Sequence, residues 1–227
     1  MAMDQAHTNT THLNVFEHFR PELTAAQQKM KYVFLANIEP SLQLHIVNQL
    51  SDPKVVALDT MNFWIEGSKD ELTKVIKKCT ILLMNEEEAK QYCETGNLIK
   101  AGQRLLKLGP ETVVLKKGEH GALLFQKDGT FSVPAYPLQA LKDPTGAGDT
   151  FAGSLVGYLA RTNRPTTTNI RKAVIVGTVM ASFAVEDFGL IRTLKLGEKE
   201  IHERVNALQS MMMIPRINPD TLRQKTN

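Results

Sequence analysis

TILLM at residues 80–84 and TVVLK at residues 112–116 enclose NEEEAKQYCETGNLIKAGQRLLKLGPE, residues 85–111. Each short run is apolar and rich in strand-forming residues, too brief for a helix that packs on its own. Asn85 opens a helix between them, and Asn97 caps one more that stops near Gly109. A strand, a helical crossover and a second strand imply parallel pairing through a right-handed connection. That reading sets the fold class.

The same rhythm extends upstream. Tyr32–Ala36 is a short apolar run, and Pro40 suits the first turn of a helix running through Leu50. KVVALD, residues 54–59, is the next strand, and Ser68 with Glu71 forms a capping box ahead of a helix to about Cys79. Downstream, Gly121–Gln126 and Thr130–Val133 flank Lys127-Asp128-Gly129 as a hairpin. After Pro134 and Pro137 a loop leads into KDPTGAGDT, and the remainder is mainly helical. It includes Thr150–Arg161 and a buried core helix through Ala173–Val185. The expected fold is α/β: one domain, a mainly parallel sheet covered on both faces, and an antiparallel hairpin at one edge. Residues 13–210 would form it, with tails at 1–12 and 211–227.

Composition excludes several classes. Of 227 residues, 42% are hydrophobic and 22% charged, as in an ordinary globular protein. Lysine and arginine number 27 against 24 acidic residues and form no arm, which argues against a dedicated nucleic-acid binder. Cys79 and Cys93 make no CxxC, so reduced, buried thiols in a cytoplasmic protein are expected. The stretch 173–185 is broken by Gly177, Thr178 and Ser182 and is too short to span a membrane. The histidines lack metal-ligand spacing.

In an open α/β sheet, ligands gather where strand ends lead into helices. The richest such loop is Asp143-Pro144-Thr145-Gly146-Ala147-Gly148-Asp149. Gly146 and Gly148 allow a tight turn, and successive amides of Gly146, Ala147 and Gly148 at a helix start make an anion hole. A carboxylate beside an anion pocket suits proton removal from an attacking hydroxyl, which would make Asp149 a catalytic base. The plain alternative is a glycine turn with an ordinary first-turn acid.

DPTGAGDTFAGSLVGYLA, residues 143–160, resembles the carboxy-terminal signature of the PfkB (ribokinase-like) family of carbohydrate and nucleoside kinases. The resemblance implies transfer of the γ-phosphoryl group of ATP to a hydroxyl of a sugar or nucleoside. Asp149 would be the base and Gly146, Ala147 and Gly148 the anion hole. Asn85-Glu86-Glu87-Glu88 is similar to the family's Asn-x-x-Glu, so Asn85 and Glu88 would organise magnesium, its waters and the phosphates. The same spacing is also a capping box. Lys116-Lys117-Gly118-Glu119-His120-Gly121 resembles the ATP-binding turn, implying nucleotide contacts at Lys116, Gly118 and Gly121. Many members carry threonine in place of Lys116. Register alone adds Thr178 and Ser182 near the adenine, and Asp143 with Thr145 at a monovalent-cation site.

Asp59-Thr60-Met61-Asn62 is similar to a family Asp-x-Asn pattern but departs by one residue, so no contact is carried over to it. Trp64 is read as packing. Members open with a strand bearing a substrate aspartate, a Gly-Gly motif and a lid of strands. Here Leu13–Leu23 is similar to the segment after that lid, and no Gly-Gly pair occurs. Three readings stay open: an active kinase, a nucleotide-binding remnant that is catalytically silent or completed by another chain, and an unrelated flavodoxin-like binder or oxidoreductase; a homo-oligomer or a partner chain is expected to cover the missing N-terminal half. The third lacks an opening GxGxxG and a Walker motif.

Overall fold

The computed structural model describes residues 14–16, 18–216 and 218, so the expected tail at 1–12 and most of the polar tail lie outside them. Helix α1 (Ala25–Gln28) precedes strand β1 (Tyr32–Leu35), α2 (Pro40–Gln49) and β2 (Val55–Leu58). Then follow α3 (Asn62–Gly67), α4 (Lys69–Ile76), β3 (Ile81–Asn85), α5 (Glu86–Cys93), α6 (Leu98–Leu106) and β4 (Thr112–Lys116). The hairpin β5 (Ala122–Gln126) and β6 (Gly129–Val133) leads to α7 (Ala147–Thr162), α8 (Thr167–Ala184) and α9 (Glu198–Met211).

The strands lie in the order β1-β2-β3-β4-β5-β6. The first four are parallel, and β5 and β6 are antiparallel, as the crossover and hairpin readings require. Every crossover among β1–β4 steps in one direction, so right-handedness puts α2 to α6 on a single face. Val56, Leu58, Leu82, Met84, Val113 and Leu115 point to that face and pack on α3 to α6. Their alternating neighbours Val55, Ala57, Ile81, Leu83 and Val114 point the other way, onto α7, α8 and Leu208 of α9. The C-terminal helices therefore supply the whole second layer.

Local expectations held in most places and failed at several helix ends. Asn85 forms a reciprocal capping box with Glu88, and the Asn97 side chain accepts from the Lys100 amide. Ser68 makes no side-chain cap, because the same residue closes α3, and its backbone (φ −144°, ψ 37°) is set by that preceding helix. The helix it opens ends at Ile76, short of Cys79. Helix α7 begins at Ala147 rather than Thr150, so Asp149 belongs to its first turn. Cys79 is buried, and burial pushes its thiol up to about 12, whereas Cys93 is only half-buried. Among the described residues, no helix is long and apolar enough to cross a membrane.

Candidate functional site

Three neighbouring strands end in polar side chains. Asp59 follows β2, Asn85 ends β3 and Lys116 ends β4. Lys116 Nζ donates to both oxygens of Asp59, at 3.0 and 2.8 Å. The Asp59 side chain is only 7% exposed and that of Lys116 19%. Asp59 lies one residue past the Leu58–Leu82 pairing, while Lys116 is paired with Asn85. The offset is two residues, about 7 Å along the strands, which the lysine stem spans over β3.

The first turn of α7 sits against this pair. A Cβ added at Gly148 would stand 3.3 Å from Lys116 Nζ. Gly146 caps the helix with φ +79°, a conformation open to glycine at little cost. The Ala147 amide donates to the Pro144 carbonyl at 3.2 Å. With its amide so engaged, Ala147 leaves the expected anion-hole set, while helix geometry offers the first-turn amides of Gly148 and Asp149 no intrahelical partner. Asp149 is exposed beside them. Asp143 Oδ1 accepts the Thr145 amide at 2.9 Å, and that bond holds the Asp143 carboxyl below its usual range. These two residues brace the loop entering the turn.

Asn85 and Glu88 occupy the neighbouring helix start. The Glu88 carboxylate accepts the Asn85 backbone amide at 2.9 Å and its side-chain amide at 2.6 Å, while Asn85 Oδ1 accepts the Glu88 amide. Glu88 is 7% exposed. Burial raises its pKa to about 7, against the opposing pull of the Asn85 bond and Lys116, with Asp59 adding to the rise. A carboxylate so enclosed cannot cage a bare ion, and among the described residues no cluster of three or more His, Cys, Asp or Glu could hold one. The pair suits a water-clad cation carried by a phosphate ligand.

The Lys116–Gly121 turn is a short 3-10 helix over Gly118–His120. Gly118 (φ +54°) faces open space, whereas a Cβ on Gly121 (φ +82°) would collide with the backbone of Val133, Pro134 and Ala135. Gly121 is thus required by the fold itself. Thr178 and Ser182 are buried on α8, and their hydroxyls donate to the carbonyls of Val174 and Val179. Ser182 also accepts from Arg204 at 3.1 Å. Arg204 bonds Glu186 and lies over the Phe183 and Tyr136 rings, 3.5 and 4.6 Å from their centroids, and Arg192 bridges Glu186 to Glu200.

Sequence reading missed the Asp59–Lys116 pair and the Arg204 network. The signal for the first was present: an acid and a base at the ends of strands on either side of β3. The second joins Tyr136, Ser182 and Glu186 to Arg204 through tertiary packing and leaves no local pattern.

A family model described as pfkB family carbohydrate kinase matches residues 8–195. The chain belongs to the pfkB family. Among curated pfkB-type relatives, the cytidine kinase of Thermococcus kodakarensis is 33% identical over 134 residues, covering 56% of this chain and 48% of its own length. The nucleoside kinase of Methanocaldococcus jannaschii is 25% identical over 186 residues, 82% of this chain and 58% of its own. The chain thus spans about half the length of the curated relatives it matches. The crystal structure of the M. jannaschii nucleoside kinase superposes with a TM-score of 0.67 at 21% identity, covering 86% of this chain and 60% of the other. Aminoimidazole riboside kinase from Salmonella enterica, solved with aminoimidazole riboside and an ATP analogue, gives 0.64 at 22% identity, covering 78% and 64%. At these identities the superpositions establish the ribokinase-like α/β fold.

Proposed function

We propose that the chain carries the nucleotide side of an ATP-dependent kinase acting on a hydroxyl of a sugar or nucleoside. One observation carries the reading: the polar ends of β2, β3 and β4 meet the glycine-rich first turn of α7, with an exposed carboxylate one residue away. In this reading the acceptor oxygen attacks the γ-phosphorus, its proton passes to Asp149, and ADP leaves. Gly148 and Asp149 amides, aided by the helix dipole, stabilise the charge of the transferring group. Magnesium borne by the nucleotide would neutralise phosphate charge. Asn85 and Glu88 would orient its waters, and Gly118 would let the backbone approach the nucleotide. Thr178 and Ser182 would border the base with their acceptor lone pairs, and Asp143 with Thr145 would shape the loop near a monovalent cation.

Coverage of about half of the T. kodakarensis and M. jannaschii kinases favours a second reading, in which nucleotide binds here but transfer requires further polypeptide. Calorimetric titration with ATP tests what the two readings share, and turnover against a panel of sugars and nucleosides separates them. Under the first reading, Asp149→Asn lowers kcat by about two to four orders of magnitude while ATP affinity stays near wild type. Equal loss of binding and rate would make Asp149 a helix-start acid and nothing more.

A further inference from the structure

Lys116 and Asp59 form an ion pair that is too costly to be incidental. Each charge leaves water, and Asp59 is nearly fully buried, so the pair contributes little or no net stability over an apolar pair of similar volume. Its placement is the informative part. The ammonium does not follow the chain into the Gly118–Gly121 turn. It reaches back across β3 toward β2 and stands against the Gly148 backbone, beside the first-turn amides of α7. A fixed positive charge and free helix-start amides thus share one small volume. Two independent features, a buried directed cation and a helix N-terminus, point at the same anion.

Resting on the kinase reading, we propose that Lys116 binds the polyphosphate of the nucleotide rather than its nucleoside part, and that Asp59 is a positioning residue acting through it. Asp59 fixes a side chain that has four rotatable bonds, so the ammonium meets the phosphate without a further ordering cost. The bidentate contact leaves one ammonium hydrogen for the ligand, since a lysine ammonium has three. The cation belongs to the polypeptide, so it is present whether or not a metal ion accompanies the phosphates.

The full chain is titrated with ATP, adenosine and inorganic tripolyphosphate, as wild type, Lys116→Met, Lys116→Arg, Asp59→Asn and the double variant Asp59→Asn/Lys116→Met. Lys116→Met is expected to weaken ATP and tripolyphosphate by about 10- to 100-fold, the worth of a charged hydrogen bond, and adenosine by less than about 2-fold. Asp59→Asn should weaken ATP by about 3- to 10-fold through the freed lysine, and the double variant should be no weaker than Lys116→Met alone. Lys116→Arg should recover part of the loss. The double variant removes both charges together, so it keeps the test open where a lone buried carboxylate unfolds the single variant. Additive losses, equal loss on adenosine, or unchanged ATP affinity in the double variant would overturn the proposal while leaving the kinase reading intact. Tripolyphosphate binding that depends on Lys116, without any binding of ATP, would sustain the phosphate site and sink the nucleotide reading. Binding of none of the three ligands to wild type overturns both.

Discussion

Glu88 is the residue whose chemistry the fold has altered most visibly. Its carboxyl closes a helix cap, yet it is buried deeply enough that the pKa rises from 4.5 to about 7. Between those values the folded protein binds the proton more tightly than the unfolded chain does. The linkage slope is then negative: this group's stabilising contribution is complete below about pH 4.5 and falls as pH rises through 7, by a total of about 3 kcal/mol. Glu88→Gln keeps the shape without the charge. Urea unfolding in metal-free buffer at about pH 5 and about pH 8 should show the variant gaining about 2–3 kcal/mol on wild type between the two. An unchanged difference would mean that water reaches the carboxylate. The capping box was legible in the sequence because it is a local pattern of residues 85 and 88. The burial was not, since it is imposed by neighbouring strands. For the same reason the glycine-rich loop could be read as an anion pocket from its residues alone, while the lysine standing beside Gly148 could not.

At the scale of elements, α8 and α9 are joined by charge and ring contacts rather than by apolar packing alone. Arg204 of α9 reaches Ser182 and Glu186 and covers the face of Phe183, and Arg192 in the intervening loop ties Glu186 to Glu200. Arg204→Met preserves much of the stem packing but leaves the half-buried Glu186 with one partner fewer. Loss of this bond and the cation–π contact should cost about 2–3 kcal/mol, lowering Tm by about 4–12 °C. A change below about 1 °C in calorimetric melting would show that the network is solvent-screened. The strands, by contrast, were placed within a residue or two from their apolar runs. Helices are less legible: the short NFWIEG stretch of α3 has neither cap nor period, and the glycines that open α7 disguise its start at Ala147. Gly146 shows that a glycine with positive φ, commoner at a helix end, can also begin one.

At the scale of the molecule, the sheet has two free margins among the described residues, and β1 is the apolar one. Tyr32, Val33 and Phe34 are half-buried, whereas the neighbouring strands β2, β3 and β4 are buried along almost their whole length. Such a margin is a template for pairing, so we expect the purified chain to self-associate, with Tm rising over a concentration series. Saturating ATP should raise Tm further, by about 2.7 kcal/mol of stabilisation at one hundred times Kd. A concentration-independent monomer in light scattering would show that the margin is protected.

The one-sided crossovers carry a consequence in time. Synthesis delivers β1 to β6 and the helices of one face first, and the layer that covers the other face arrives only with residues 147–208. Until those residues leave the ribosome, Val55, Ala57, Ile81, Leu83 and Val114 lack the helices that cover them among the described residues. The nascent sheet has all six strands in place yet is bare on one side, a state prone to capture by chaperones or by its own kind. The last third of the polypeptide, which brings the glycine-rich turn, is therefore also what brings the protein out of danger.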